Sequence, residues 1–326
     1  MTASNLDTDC RFCSVFSKAN GEDPIGSAKA TDSWIIVELP LPWTKERLIL
    51  DSALSPVFQA MREGNTKLSA IAIAPDRKYS VPKHVRVFYY QRPAKFFAQY
   101  HKQEFVVPEP ELTQLVIALT QQSELDRFKK YEQPTQHIRE ILVCTHGNID
   151  VACARFGYPI YEKLRQEFAL ESEVSRSDAL RVWRCSHFGG HQFAPTLIDL
   201  PNGQVWGHLE LDMLRALVLR DCAVTQLRSF YRGWAGLSKF EQIVEREIWM
   251  QQGWNWLTQH KSGQVLAQDF INEDWADVRI ETSFDGVLAT YKARVEVCGT
   301  VMTAINSGEE PTTVKQYRVS QCDRIV

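Results

Sequence analysis

The chain has 326 residues, a net charge of −3 and an isoelectric point near 6.3, with 44% hydrophobic and 24% charged residues. This balance is typical of a globular protein with about two or three domains. No basic stripe of the kind that nucleic-acid-binding proteins carry is present, so we expect no nucleic-acid partner.

Residues 1–11 are polar and lack the hydrophobic core of a signal peptide. No stretch approaches the ~18 apolar residues of a membrane span. The eight cysteines are too sparse for a disulfide scaffold. We therefore expect a cytoplasmic protein with reduced thiols, in which cysteines grouped with histidines are metal ligands or redox groups.

The first unit, residues 1–130, begins with a loop-like segment that contains Cys10 and Cys13. No second pair of ligands lies nearby, so we assign this C-x2-C pair no function. After it, hydrophobic periodicity and proline and glycine signals predict the order β-α-β-β-β-α. The predicted elements are strand Trp34–Glu38, helix Leu54–Met61 ended by Gly64, strands Leu68–Ala74, Val85–Tyr90 and Glu104–Val107, and helix Pro110–Thr120.

The second unit, residues 131–225, repeats that order after a polar linker. Asn202-Gly203 is a strong signal for a tight hairpin turn. The predicted elements are strand Ile138–Val143, helix Pro159–Leu170, strand Leu180–Cys185, strands Pro195–Leu200 and Gln204–His208, and helix Leu209–Cys222. Two successive β-α-β-β-β-α units predict an α/β protein with two thioredoxin-like units in tandem.

The remainder, residues 226–326, has a different pattern. A helix is predicted at about 239–252. A long hairpin about Asp285-Gly286 follows, with strands Val278–Phe284 and Val287–Val297, and Val314–Val319 adds a third strand. We therefore predict a C-terminal helix and a small antiparallel β segment.

The strongest chemical signal lies in two loops of the second unit. Cys144 and Cys153 form a C-x8-C pair after one predicted strand, and His187 and His191 form an H-x3-H pair after another. Loops at one end of a sheet converge when their strands are neighbours. Two thiolates and two neutral imidazoles suit a [2Fe-2S] cluster or a single zinc ion.

Other arrangements compete with this quartet. Cys144-Thr145-His146 matches half of a Rieske motif, but Cys185-Ser186-His187 is one residue short of the other half. Cys185, His146 and His208 could equally be ordinary buried or solvated residues. Structural zinc sites prefer C-x2-4-C knuckles, so the wide C-x8-C spacing favours a binuclear cluster.

The chain resembles the sucrase/ferredoxin-like family, the thioredoxin-like ferredoxins with bis-histidinyl [2Fe-2S] clusters. The resemblance is carried by Cys144-Thr145-His146-Gly147 with Cys153, by the segment from Cys185 to His191, by Phe193-Ala194-Pro195-Thr196 and by Gly203-Gln204-Val205-Trp206-Gly207. It implies that Cys144 and Cys153 bind one iron and that His187 and His191 bind the other, nearer solvent. It assigns no ligand role to His146.

These residues predict a one-electron carrier or redox sensor rather than an enzyme with its own substrate. No carboxylate pair suggests glycoside hydrolysis. A thiol oxidoreductase using Cys144 and Cys153, or a protein with a structural Cys2His2 zinc site, are the alternatives. Neither the redox partner protein nor the oligomeric state follows from the sequence.

Overall fold

The computed structural model describes residues 12–50, 52–63, 67–169 and 179–325. Its first half contains a short helix followed by the predicted β-α-β-β-β-α order, with one additional helical turn, α2, before α3. The elements are α1 Cys13–Ala19, β1 Ser33–Glu38, α2 Lys45–Ile49, α3 Ser55–Arg62, β2 Leu68–Ile73, β3 His84–Gln91, β4 His101–Pro108 and α4 Leu112–Gln121. Cys10 of the C-x2-C pair and Gly64, the predicted end of the first long helix, lie outside the described residues.

The second half has the same order and confirms the predicted repeat. Its elements are β5 Arg139–Cys144, α5 Val151–Glu167, β6 Leu180–Cys185, β7 Leu197–Leu200, β8 Gln204–Trp206 and α6 Leu214–Leu219. Two helix bounds were predicted wrongly. Helix α5 starts at Val151 rather than at Pro159, which lies inside it. Helix α6 is shorter than predicted and ends where Arg220 adopts a left-handed conformation.

The sheet topology is repeated as well. In the first half, β1 pairs in parallel with β2 and antiparallel with β3, which pairs with β4. In the second half, β5 pairs in parallel with β6 and antiparallel with β7, which pairs with β8. The central strands β1 and β5 are almost wholly buried, as expected for apolar runs covered on both faces.

Within the described residues, the two halves and β9 form one nine-stranded mixed sheet, in the order β4-β3-β1-β2-β6-β5-β7-β8-β9. Strands β2 and β6 join them as an antiparallel pair at Ile73 and Cys185. The last strand, β9 (Tyr231–Trp234), was not predicted. Consequently the loops after β5 and β6 lie close to the junction between the halves.

A buried ionic network also ties the halves together. Arg181 on β6 contacts both Glu104 on β4 and Glu140 on β5. Lys102 on β4 donates to Glu140 over 2.8 Å. Buried charges are tolerated when they are paired and hydrogen-bonded, as here. The network therefore fixes strands of the first half against strands of the second.

The C-terminal segment consists of helix α7 (Lys239–Gln252) and a four-stranded antiparallel sheet. Ser238 and Glu241 form a capping box that starts α7. The sheet contains β10 His260–Gln268, β11 Trp275–Phe284, β12 Val287–Thr303 and β13 Thr312–Arg324. The predicted hairpin is confirmed, whereas β10 was missed. Among the described residues, no helix has the length and apolar character needed to cross a membrane.

Candidate metal centre

The pairing of β5 with β6 brings the two predicted loops together. Cys144 and Cys185 are the last residues of these parallel strands, and they are direct partners in the register. The carboxyl ends of parallel strands meet at one edge of a sheet, so the segments that follow them are neighbours. Cys144 and the loop that starts at Ser186 thus emerge side by side.

Cys153 reaches the same place from a helix. It was predicted to lie in a loop, but it is in the first turn of α5. Asp150 is the N-cap of this helix and accepts a hydrogen bond from Ala152 N over 2.8 Å. Gly157 lets the helix approach the strand, because a Cβ there would lie 2.0 Å from the carbonyl oxygen of Cys144. The helix therefore holds the Cys153 thiol against the end of β5.

Three of the four predicted ligands form one group. The ligand atoms of Cys144, Cys153 and His187 all lie within 4.8 Å of one another. Sγ of Cys153 is 3.8 Å from Nδ1 of His187. Both thiols are buried, whereas His187 is half-buried. Buried thiols beside a partly exposed imidazole are a donor set suited to zinc or iron.

His191 lies beside this group. Its ring centroid is 5.1 Å from that of His187, with an angle of 41° between the rings. Nε2 of His191 lies 2.9 Å from Oδ1 of Asn306. Nδ1 of His191 is buried and has no hydrogen-bond partner within the described part of the chain. A buried polar atom without a partner costs free energy, and a metal ion is the kind of partner that a ring nitrogen accepts.

The other candidate ligands have different roles. Nδ1 of His146 accepts a hydrogen bond from the backbone N–H of His187 over 3.2 Å, and Nε2 donates to the carbonyl of Trp43 over 2.6 Å. Both its ring nitrogens are therefore used. His208 is buried elsewhere, with Nε2 3.2 Å from Oγ of Ser17. Cys185 is a buried residue at the end of β6.

The electrostatics of the centre favour one thiolate. Hydrogen bonds from Cys153 and His187 hold the pKa of the Cys144 thiol well below its usual range. The hydrogen bond to Cys144, together with burial, raises the pKa of the Cys153 thiol. The shared hydrogen bond thus makes Cys144 the more acidic thiol of the pair, so negative charge on the pair is favoured at Cys144.

A buried cation lies next to this charge. Burial lowers the pKa of Arg232 to about 10, and the neighbouring Cys144 and Cys153 oppose that shift. Its guanidinium donates to Ser27 and to the carbonyl oxygen of Gly189, the latter over 2.9 Å. Arg232 therefore stays charged at neutral pH and offsets negative charge at the centre.

The position of Arg232 also explains why residue 190, between His187 and His191, is a glycine. A Cβ on Gly190 would lie 2.2 Å from Nη2 of Arg232, and the backbone of Gly190 has a positive φ of 73°. Gly189 also has a positive φ, of 101°. The two glycines thus allow the tight backbone between His187 and His191.

Several residues of the centre were missed by the sequence analysis. Asp150 directly before α5 is an ordinary N-cap signal, and it would have placed the helix start correctly. Cys13 lies against the centre: its Sγ is 3.6 Å from Asp150 Oδ1 and 3.5 Å from the carbonyl of His191. No local signal marks Asn306, because it reaches the centre from a remote part of the chain.

The fold and the site define an α/β protein with a Cys2His group that is able to hold a metal ion. Residues 24–233 match the family model described as sucrase/ferredoxin-like. This match covers more than half of the chain, and the protein belongs to that family. A search of the curated proteins and a search of the solved structures gave no match.

Proposed function

We propose that the protein holds a [2Fe-2S] cluster and serves as a one-electron carrier or redox sensor. The observation that carries this proposal is the convergence of Cys144, Cys153 and His187 within 4.8 Å. Nδ1 of His191, which has no hydrogen-bond partner among the described residues, lies alongside. When bound, such a cluster accepts and releases one electron. The ferredoxin part of the family description supports the same chemistry.

In this proposal Cys144 and Cys153 bind the inner iron, and His187 and His191 bind the outer iron. The burial of the side chains supports this division. The two thiols are 0% and 1% exposed, whereas both imidazoles are partly open to solvent. A partly exposed imidazole edge gives a redox partner protein a short path for the electron, and docking there needs no substrate pocket.

The surroundings favour a higher reduction potential than that of an all-cysteine cluster. Neutral imidazoles in place of two thiolates remove negative charge from the ligand shell, as in Rieske centres. The buried guanidinium of Arg232 further stabilises the state that carries one more electron. An imidazole can also gain or lose a proton when the charge of the iron changes, which couples electron transfer to pH.

The organisation of the chain fits this role. Residues 131–225 form the cluster-binding unit in the proposal, residues 1–130 a related unit without ligands, and residues 226–326 a third unit. We place the protein in the cytoplasm, where the two cysteine ligands would stay reduced and available.

A structural zinc site is the second candidate. Ligand atoms on one tetrahedral ion lie roughly 3.5–4 Å apart, and the 3.8 Å between Cys153 and His187 agrees with that spacing. A thiol oxidoreductase is less well supported. Thiol–disulfide exchange needs access of a second sulfur to the attacking thiolate, and both thiols are buried.

Metal and sulfide analysis separates these functions. The full chain is purified anaerobically, and its iron, acid-labile sulfide, zinc and visible absorption are measured. A brown protein with iron and sulfide in equal amounts is the expected result. A colourless protein with stoichiometric zinc would replace the proposal with the structural zinc site, and a metal-free protein would overturn both.

A further inference from the structure

The loop between β12 and β13, residues 304–311, reaches the candidate metal centre from the C-terminal sheet. Its Asn306 is 115 residues from His191 in sequence, yet Asn306 Oδ1 lies 2.9 Å from His191 Nε2. This loop lies outside residues 24–233, the part that matches the family model. The C-terminal sheet therefore contributes to the centre through residues that the family match does not cover.

The orientation of the Asn306 side chain is determined by a second contact. Its Nδ2 donates to Oε2 of Glu309 over 2.7 Å, and a carboxylate can only accept. Oδ1 must therefore face His191 and accept a hydrogen bond from Nε2–H. A neutral imidazole carries one proton, so the lone pair is on Nδ1, the buried atom without a hydrogen-bond partner among the described residues.

Ser307, the next residue of the loop, contacts the start of the helix that carries Cys153. The backbone N–H of Ser307 donates to Asp150 Oδ2 over 2.8 Å, and its hydroxyl donates to Oδ1 over 2.7 Å. Asp150 is the N-cap of α5, and Cys153 lies in the first turn of that helix. Asn306 therefore contacts one of the proposed histidine ligands. Ser307 contacts the N-cap of the helix that carries a proposed cysteine ligand.

We propose that Asn306 is a positioning residue of the metal centre: it fixes the tautomer and ring orientation of His191, so that Nδ1 faces the metal. Ser307 steadies the helix that carries Cys153. The identity of the metal as iron rests on the proposed function, whereas the positioning of His191 by Asn306 applies equally to iron and to zinc. Outer-shell partners of this kind fix ligand histidines in metal sites generally.

The hydrogen bond has a measurable electronic consequence. An acceptor on Nε2–H makes the imidazole a stronger donor to the metal, which favours the oxidised iron and lowers the reduction potential. A carboxylate in place of the amide strengthens this effect, and an apolar side chain removes it. Asn306→Asp therefore has a lower potential than the wild type, and Asn306→Leu a higher one.

The test is a redox titration of the anaerobically purified full chain and its variants. The expected order of midpoint potentials is Asn306→Asp, then wild type, then Asn306→Leu. Asn255→Asp, which adds the same charge at an exposed position after α7, keeps the wild-type potential. If Asn306→Leu retains its far-UV circular dichroism but loses iron, His191 has lost its orientation, which also supports the role. Wild-type potentials in both Asn306 variants would overturn it.

The same variants remain informative if the metal is zinc. The proposed function then fails, and zinc affinity is measured by competition with a chelator. Asn306→Leu is expected to bind zinc at least ~10-fold more weakly than the wild type, with Asn255→Asp unchanged. Equal affinities would overturn the positioning role. A bound iron cluster with unaltered potentials would overturn only the positioning role and leave the proposed function standing.

Discussion

Nδ1 of His187 lies 3.8 Å from Sγ of Cys153, although 34 residues separate them in the chain. This contact joins the segment after β6 to the helix after β5. It exists because β5 and β6 are parallel neighbours that end together at Cys144 and Cys185. The geometry of the sheet thus brings three residues of the two sequence pairs into one group of donors, with His191 beside them.

Removal of one of the proposed thiol ligands should abolish iron binding. In Cys153→Ser the hydroxyl is a poor ligand for iron at neutral pH, so we expect iron to fall below about a tenth of the wild-type content. Cys185→Ala is the matched control, since Cys185 is equally buried but lies outside the proposed ligand set. Iron and acid-labile sulfide are measured in both variants. If Cys185→Ala lost its iron while Cys153→Ser kept it, the ligand assignment would be contradicted.

Replacement of a proposed histidine ligand by cysteine should lower the reduction potential. His187→Cys and His191→Cys each add a negative charge to the ligand shell, and we expect a decrease on the order of 100 mV. The potential should also depend less on pH, because the replaced imidazole no longer exchanges a proton. His101→Cys adds a cysteine at an exposed position as a control. Redox titrations at several pH values are the measurement, and unchanged potentials in both ligand variants would rule these ligands out.

Crowding by Arg232 should make Gly190 intolerant of a side chain. Gly190→Ala introduces left-handed strain of about 1 kcal/mol and a clash with a guanidinium that Ser27 and Gly189 hold in place. Gly286→Ala is the control, with a similar φ of 79° and no atom within 4 Å of the added Cβ. By chemical denaturation, Gly190→Ala should be less stable than this control by a further ~1–3 kcal/mol. Equal stabilities would show that Arg232 moves away freely.

Stability should decrease in mild acid through His208. Burial lowers its pKa from 6.5 to about 4 in the folded protein. Between pH 6.5 and pH 4, His208 is protonated in the unfolded chain but neutral in the folded protein. The free energy of unfolding therefore falls as the pH drops from 6.5 toward 4. The expected loss between pH 7 and pH 5 is about 2 kcal/mol from this residue.

His208→Asn tests this contribution, because asparagine tolerates the positive φ of 52° found at this position. The free energy of unfolding is measured for both proteins at pH 7 and pH 5. The variant should lose about 2 kcal/mol less than the wild type between the two pH values. Equal losses would mean that His208 is not kept neutral in the folded protein.

The sequence predicts what depends on local pattern. Apolar runs marked β5 and β6, and the C-x8-C and H-x3-H spacings marked the cysteines and histidines that the fold brings close together, because these features are local in the chain. The start of α5 was predicted wrongly since proline usually occupies a first helical turn, whereas Pro159 lies well inside this helix. Strand β10 was missed because its exposed, polar residues and Gly263 weaken the strand pattern.

Other parts of the centre depend on tertiary structure alone. Arg232 and Asn306 come from β9 and from the β12–β13 loop, and nothing in their neighbouring residues indicates a metal centre. Cys13 lies at the centre only because the fold places it in contact with Asp150 and His191. Contacts between residues so far apart follow from the packing of whole elements, which residue spacing does not encode.

The electron paramagnetic resonance spectrum of the chemically reduced, anaerobically purified protein tests the proposed cluster most directly. A [2Fe-2S] cluster that has taken up one electron has an unpaired spin, so we expect a signal of about one spin per chain. That signal should be absent from Cys153→Ser and retained in Cys185→Ala. A silent spectrum from wild-type protein that contains stoichiometric zinc would contradict the cluster.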